Sequence, residues 1–239
     1  MDHLLFFALL LVAEVLGTIG GFGSSMLAMP LAAFFLPFDQ ALGLTALFHV
    51  FSNAAKIFLF RQEVSRYLLL WLGIPAVVGV LVGARLTFFM EPRSLMLALG
   101  VLLMFLATTL LLKRNWRLQA NRRNALLGGL LSGSVAGLAG TGGAIRGVTL
   151  AAFDLEKMVF VSTSAWIDMG VDLSRSMVYA SQGFITGSVL AHLPAMAIAS
   201  IAGSWIGKRI LERIPQERFK LIVLVLVLVM GVITTAQAL

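Results

Sequence analysis

No cysteine occurs in the 239 residues, so the chain has no disulfide, no thiolate metal site and no redox pair. Histidine is nearly as scarce. His3, His49 and His192 are scattered along the sequence, and three separated imidazoles do not supply a metal site. Charged residues make up only 12%, about half the share of a soluble domain. Long polar stretches are missing too. The longest runs from Lys113 to Asn124 and leaves no room for a sizeable soluble domain. Two-residue alternation is absent from the apolar runs, which argues against a β-barrel. What remains is apolar: 59% hydrophobic residues and a mean hydropathy of +0.97. This composition implies an all-α polytopic membrane protein with the lipid bilayer as its first partner. The net charge of +7 does not call for nucleic acid, because the basic residues fall in short loops. The N-terminal segment lacks a basic lead and carries Glu14 where a cleavage region would lie, so it reads as a helix rather than a signal peptide.

Two glycine-rich stretches interrupt these apolar runs. The first is Gly17-Thr18-Ile19-Gly20-Gly21-Phe22-Gly23-Ser24-Ser25-Met26, and the second is Gly137-Leu138-Ala139-Gly140-Thr141-Gly142-Gly143-Ala144-Ile145-Arg146. Each glycine costs a helix about 1 kcal/mol, so a rigid helix does not continue through either stretch. In lipid, unwound backbone is tolerated only where protein buries it or where it lines a cavity. Paired breaks in two halves point to a transporter's binding site. The competing reading is that the glycines only allow close helix packing.

The order of segments repeats. His3 to Leu16 leads into the first break and Leu27 to Leu36 leads out. Ala41 to Phe60, Leu68 to Phe89 and Leu95 to Leu112 follow as full-length segments. Ala125 to Ala139 leads into the second break and Gly147 to Phe153 leads out, before segments at Met158 to Ala180, Phe184 to Ile206 and Leu221 to Ala236. Gly79, Gly83 and Arg85 match Gly203, Gly207 and Arg209 at an offset of 124. The chain therefore divides into a first repeat over residues 1–113, a basic cytoplasmic linker over 114–123 and a second repeat over 124–239. Re-entrant hairpins at the breaks would place loops 61–66, 113–123, 154–157 and 208–220 on one side. Those loops hold 13 of the 18 Lys and Arg, as the positive-inside rule asks. The preferred architecture is two inverted repeats. Each has a glycine-broken re-entrant helix pair plus three transmembrane helices, and both termini lie outside. Fully traversing broken helices, giving eight crossings, are the alternative.

Charges inside the apolar segments are functional candidates, since each costs about 2.5–3.5 kcal/mol or more at the bilayer centre. His49, Asn53 and Lys56 share one helix face, and Asp168, Asp172 and Arg175 repeat the spacing at an offset of 119. A purely structural stripe, with an aspartate neutralising Arg175, is the alternative. Lys56 also lies near enough to the segment end to snorkel. Arg146 follows Gly142 and Gly143 by one turn, where free N–H groups and the helix dipole favour an anion. Its guanidinium adds paired donors suited to carboxylate or sulfur oxyanions. Ser24 and Ser25, with Gly21 and Gly23, occupy the matching place in the first break. The expected substrate contacts are therefore Gly21, Gly23, Ser24, Ser25, Gly142, Gly143, Arg146, Arg175, Lys56 and Asn53. Asp168, Asp172, His49 and Glu14 are the candidates for proton coupling, and Glu14 alternatively pairs with Lys56, Arg146 or Arg175. Trp116 reads as an interfacial anchor, Trp71 as a second, and Trp166 as lining the site.

The paired glycine-rich segments, the basic central linker and the Gly-x-x-x-Gly-x-Arg elements resemble the TauE/SafE family of sulfite-exporter type. The local signatures are Gly20-Gly21-Phe22-Gly23 through Met29-Pro30-Leu31 to Gly43-Leu44-Thr45-Ala46, and Gly137 to Gly143 with Ser162-Thr163-Ser164-Ala165. Leu150 stands where the first half has Pro30. The resemblance covers essentially the whole chain. It implies a secondary transporter, an exporter of small anions such as sulfite, an organosulfonate or a small organic acid. It also implies residence in a bacterial inner membrane. No cofactor is expected; protons are a candidate coupling ion, and a homo-oligomer is a candidate assembly. The alternatives are an anion channel, an intramembrane enzyme or an assembly factor. Gly23-Ser24 beside His49 lacks the Gly-x-Ser-x-Gly setting of a serine hydrolase, and the short loops offer little surface for an assembly role.

Overall fold

The computed structural model describes residues 3–21, 23–61, 63–112 and 119–239. Phe22, Lys113, Arg114, Trp116 and Arg117, and with them half of the expected 114–123 linker, lie outside the described residues. Those described form helices and turns, with no strand among them. The all-α expectation therefore holds.

Helix α1, His3–Gly20, ends where Gly21 and Gly23 adopt φ of 77° and 88°. A residue with a Cβ would pay about 1–2 kcal/mol in that region. Helix α2, Ser25–Phe35, runs back along α1. A Cβ built on Gly17 would lie 2.4 Å from the Cα of Ser24, and the ring of Phe35 lies 5.2 Å from that of Phe6. The chain thus reverses at the first break. Helix α3, Phe38–Phe60, follows Pro37 and stops at Arg61 in a left-handed conformation. Helix α4, Arg66–Phe89, widens into a π turn over Leu69–Gly73. Pro75 explains the widening, because it has no N–H to donate and its ring crowds the carbonyl a turn earlier. Helix α5 is Pro92–Leu112.

Helix α6, Arg122–Ala139, starts under an Asn121 cap and ends at Gly140, whose φ is 73°. Helix α7, Gly143–Ala151, folds back on α6. A Cβ on Gly142 would meet Ser132 and one on Gly128 would meet Thr149. Helix α8 is Lys157–Ser181, α9 is the single turn Gly187–Ala191, α10 is Leu193–Arg213 and α11 is Gln216–Ala238. The expected segment from Phe184 to Ile206 is displaced. Pro194 sits in the first turn of α10, where its fixed φ and missing N–H are at no disadvantage. At the far end α10 runs through Lys208 to Arg213, expected as linker, because Lys208 and Glu212 face each other one turn apart at 3.7 Å.

Close approach of backbones sets the packing. Cβ atoms on Gly129, Gly133 and Gly137 would collide with Leu72, Ala76 and Val80 of α4, so α6 and α4 run parallel and nearly touching. Gly203 and Gly207 meet Glu14 and Thr18 in the same way, so α10 and α1 are also parallel. Helices α5 and α11 are antiparallel: Gly100 meets Thr235 and Met104 meets Gly231. Helices α3 and α8 cross the centre antiparallel, with Asn53 beside Asp172 and His49 beside Arg175.

One apolar cluster gathers Leu72, Ala76, Val80, Ala136, Leu150 and Val171. A second gathers Phe6, Leu10, Met29, Leu44, Phe48 and Met196. The outer surface is apolar as well. Ile74, Val78 and Val82 on α4, and Ile198, Ile201 and Trp205 on α10, are exposed, as a lipid-facing exterior requires. Helices α3 and α4 are long and apolar enough to cross a membrane. Helix α8 is equally long, but Asp168, Asp172 and Arg175 interrupt its apolar run.

Candidate functional site

The polar faces of α3 and α8 meet in the protein interior. On α3 the face carries His49, Ser52, Asn53 and Lys56, and on α8 it carries Ser164, Asp168, Asp172 and Arg175, all buried. Residues three or four apart stack on one side of a helix. Antiparallel packing then sets one stripe against the other. Asn53 Nδ2 donates to Asp172 Oδ2 at 2.6 Å, and Arg175 Nη2 lies 2.9 Å from His49 Nδ1.

Among the described residues, three cations and three carboxylates occupy this interior as three ion pairs, Lys56–Glu14, Arg146–Asp168 and Arg175–Asp172. Burying a charge is tolerable only when it is paired and its remaining hydrogen-bonding capacity is filled. Glu14 meets that condition fully. Its Oε1 is 2.7 Å from Lys56 Nζ and accepts from Thr18, Ser52 and Ser204. Its Oε2 accepts from Ser24. That carboxylate therefore ties α1, the first break, α3 and α10 together. Ser24 precedes α2 but does not cap it, since its hydroxyl is turned to Glu14. Lys56 is buried, so it does not snorkel.

Arg146 lies in the first turn of α7, fully buried. Its Nη2 pairs with Asp168 Oδ1, and its Nε donates to Ser164 Oγ at 3.3 Å. Ser164 Oγ donates in turn to Asp168 Oδ2. The first break reaches the same point, since a Cβ built on Gly23 would lie 3.7 Å from Asp168 Oδ2. Arg175 ties the second break to the centre. Its Nε donates to Asp172 Oδ1 and its Nη1 to the carbonyl of Gly140, both at 2.7 Å. A guanidinium at that carbonyl also complements the C-terminal end of α6. Tyr179 Oη adds a hydrogen bond to the carbonyl of Gly137 at 2.6 Å.

The residues singled out from sequence therefore converge, with differences of role. Gly21, Gly142 and Gly143 are buried and offer backbone alone. Ser25 begins α2 and is half-buried. Trp166 does not line the site: it is 48% exposed on the outer face of α8. Asp168 two positions later lies about 200° around the helix, which puts the two side chains on opposite faces. Trp71 carries the Arg122 guanidinium 3.4 Å above its ring, an arrangement suited to a membrane interface. Thr18, Ser52, Ser164, Tyr179 and Ser204 were missed. Thr18, Ser52 and Ser164 each sit four residues from a charged partner, a spacing that could have found them. Ser204 lies on a helix of the other half, and no local signal marks it.

The family model described as "Sulfite exporter TauE/SafE" matches residues 5–234 of the chain. No curated protein and no solved structure matches it significantly.

Proposed function

The chain belongs to the sulfite exporter TauE/SafE family of membrane transporters, and we propose that it is a secondary transporter that exports a small anion across a bacterial inner membrane. Sulfite, an organosulfonate and a small organic acid are the substrate class. The anion site lies at the two glycine breaks, on the N-terminal turn of α7, with Arg146 as its principal ligand and Arg175, Lys56 and Asn53 around it.

One observation carries this reading: the buried pair of Arg146 and Asp168, at a helix N-terminus and against Gly23 of the other break. Among the described residues, every cation of the interior already has a carboxylate. An arriving anion must therefore take the place of one carboxylate at Arg146. The displaced Asp168 is then an unpaired buried charge, which several kcal/mol disfavour, and taking up a proton relieves it. Anion binding and proton uptake become one event. Asp172 is the second candidate carrier through Arg175, and Glu14 the third through Lys56. Closed ion pairs across the centre favour a carrier over a channel, because an open pore would leave these groups in water.

The helix directions support two inverted repeats divided at the linker. In this reading α1–α5 and α6–α11 are equivalent, and the parallel pairs α1 with α10 and α6 with α4 are images of each other. Asn53 and Asp172, equivalent positions at the offset of 119, touch each other, as residues beside a two-fold axis do. The fold-back of α2 and α7 supports hairpins that enter from opposite faces and stop near the midplane, leaving six crossings.

Purified protein in liposomes, assayed with sulfite, sulfoacetate and simple carboxylates, tests the function. Saturable flux that Arg146→Ala abolishes is the expected result. Flux unchanged in a folded Arg146→Ala protein would mean that the anion binds elsewhere.

A further inference from the structure

His49 stands apart from its neighbours in one respect. The residue is 3% exposed, yet its Nε2 has no hydrogen-bond partner. Among the described residues, Gln182 Oε1 is the other buried side-chain atom in that condition, and it lies at the turn after α8, away from the ion pairs. The neighbouring donors of the stripes are all occupied: Asn53 by Asp172, Lys56 by Glu14 and Ser52, Arg175 by Asp172 and Gly140. A buried donor left unmade costs about 1–3 kcal/mol, so an unfilled one at the centre of a satisfied network needs a reason.

The other ring nitrogen supplies the chemistry. His49 Nδ1 is 2.9 Å from Arg175 Nη2. A guanidinium has donors and no acceptor, so Nδ1 must accept, and the ring is not an imidazolium. The proton of the neutral ring is then on Nε2. Arg175 itself is fixed by Asp172 and by the Gly140 carbonyl, and a T-shaped contact with Phe48 flanks the ring. The tautomer and the ring orientation are thus set by groups that are themselves held.

We propose that His49 is a substrate-contact residue: its Nε2–H is a preset neutral donor to an oxygen of the transported oxyanion, and Arg175 positions it. This rests on the anion-transport reading and deepens it. It gives His49 a recognition role and leaves proton coupling to the carboxylates. A neutral donor suits the task, because it contributes a directed hydrogen bond to sulfite, sulfonate or carboxylate oxygens without adding a fourth cation to a balanced interior.

Two isosteric variants separate the two nitrogens. His49→Asn places an amide oxygen where Nδ1 accepts from Arg175 and deletes the Nε2 donor. His49→Gln places an amide nitrogen near the Nε2 position. Sulfite and sulfoacetate binding is measured by calorimetry on purified protein in nanodiscs. The proposal expects binding about tenfold or more weaker in His49→Asn, the loss of one hydrogen bond to a charged acceptor. It expects His49→Gln to stay within roughly threefold of wild type, since one donor is retained. Nitrogen-15 spectra of histidine-labelled wild type give a readout independent of any variant's folding. The expected ring is the Nε2–H tautomer, with a shift at that nitrogen on adding sulfite. An Nδ1–H tautomer, a protonated ring or no shift with bound sulfite would overturn the proposal. So would a His49→Asn protein that binds like wild type. If wild type binds none of these anions, the transport reading fails and this proposal fails with it; if it binds while His49→Asn binds equally, this proposal alone fails.

Discussion

Lys56 and Glu14 show what a single residue does in this interior. Both are buried, 2.7 Å apart, and the carboxylate takes four hydroxyl donors besides. Lys56→Met leaves Glu14 charged without its cation. The expected cost is about 3–5 kcal/mol, read as a large loss of thermal stability in detergent. The double variant Glu14→Gln with Lys56→Met should recover most of that loss, because no unpaired charge remains. A double variant no better than the single one would show that the hydroxyl cage, not the ion pair, governs stability. Asp168 makes a different prediction. If anion binding at Arg146 hands Asp168 a proton, wild-type affinity rises as pH falls, since protons are bound along with the anion. Asp168→Asn cannot take that proton, so its affinity for sulfoacetate, an anion that does not itself titrate near neutrality, should be flat with pH, measured by calorimetry on both sides of neutrality. A pH dependence unchanged from wild type would move the proton to Asp172 or Glu14. At this scale much of the candidate site's polar cluster was legible. An ionisable residue inside an apolar run stands out, and the spacings of His49, Asn53 and Lys56 and of Asp168, Asp172 and Arg175 told which side chains share a face. Which group pairs with which was not legible, because the pairing depends on the register between α3 and α8, and no local spacing encodes that register.

Among the elements, the glycines divide into two kinds. Gly21, Gly23 and Gly140 have positive φ and turn the chain at the two breaks. Gly129, Gly133 and Gly137 lie inside α6 and let its backbone lie against α4. Gly137→Ala would put a Cβ 2.4 Å from the backbone nitrogen of Ala84, and a backbone cannot turn aside as a flexible side chain can. Overpacking of this sort costs about 1–3 kcal/mol. Gly187→Ala meets nothing within 4 Å and serves as the control. The thermal midpoint should fall clearly for the first and stay within error for the second; equal midpoints would show that α4 and α6 can separate without loss. The sequence pattern located α3, α5 and α8 to within a few residues, because long apolar runs bounded by charge or proline have few other readings. It placed the start of α10 nine residues early, because the apolar residues from Phe184 onward continue the run and only Pro194 marks the true first turn. The π turn in α4 was visible only as Pro75. A proline announces a disturbance, but whether the helix kinks, breaks or widens depends on the helices packed around it.

The whole molecule poses the question of sidedness. Packing directions put the start of α4, α6, α8 and α11 at one end of the bundle and the start of α1, α3, α5 and α10 at the other. Charge follows the same division. Arg66, Arg122, Arg123, Lys157, Lys208, Arg209 and Arg213 gather at the first end, whereas Arg85 and Arg93 lie towards the second. Lys157 and Lys208 also cap α10 and α3, donating to the carbonyls of Ile214 and Leu59 at 2.6 and 2.8 Å. Lys157 and Lys208 thus satisfy the last carbonyls of two helices, and the gathering of basic residues at that end is the bias that the positive-inside rule reads. With no native cysteine to remove, single cysteines report sidedness directly. Gln119→Cys and Glu156→Cys lie at the basic end, and Glu91→Cys and Gly187→Cys at the opposite one. Exposure at all four positions makes them open to a membrane-impermeant maleimide. The hairpin reading expects Glu91→Cys and Gly187→Cys to react from outside in intact cells, and Gln119→Cys and Glu156→Cys to react only after the membrane is opened. Broken helices that cross completely would instead put position 187 on the same side as position 119. Labelling of Gly187→Cys and Gln119→Cys from one side would therefore replace six crossings and two hairpins with eight crossings. It would also remove the opposed entry of the two breaks on which a shared midplane anion site depends.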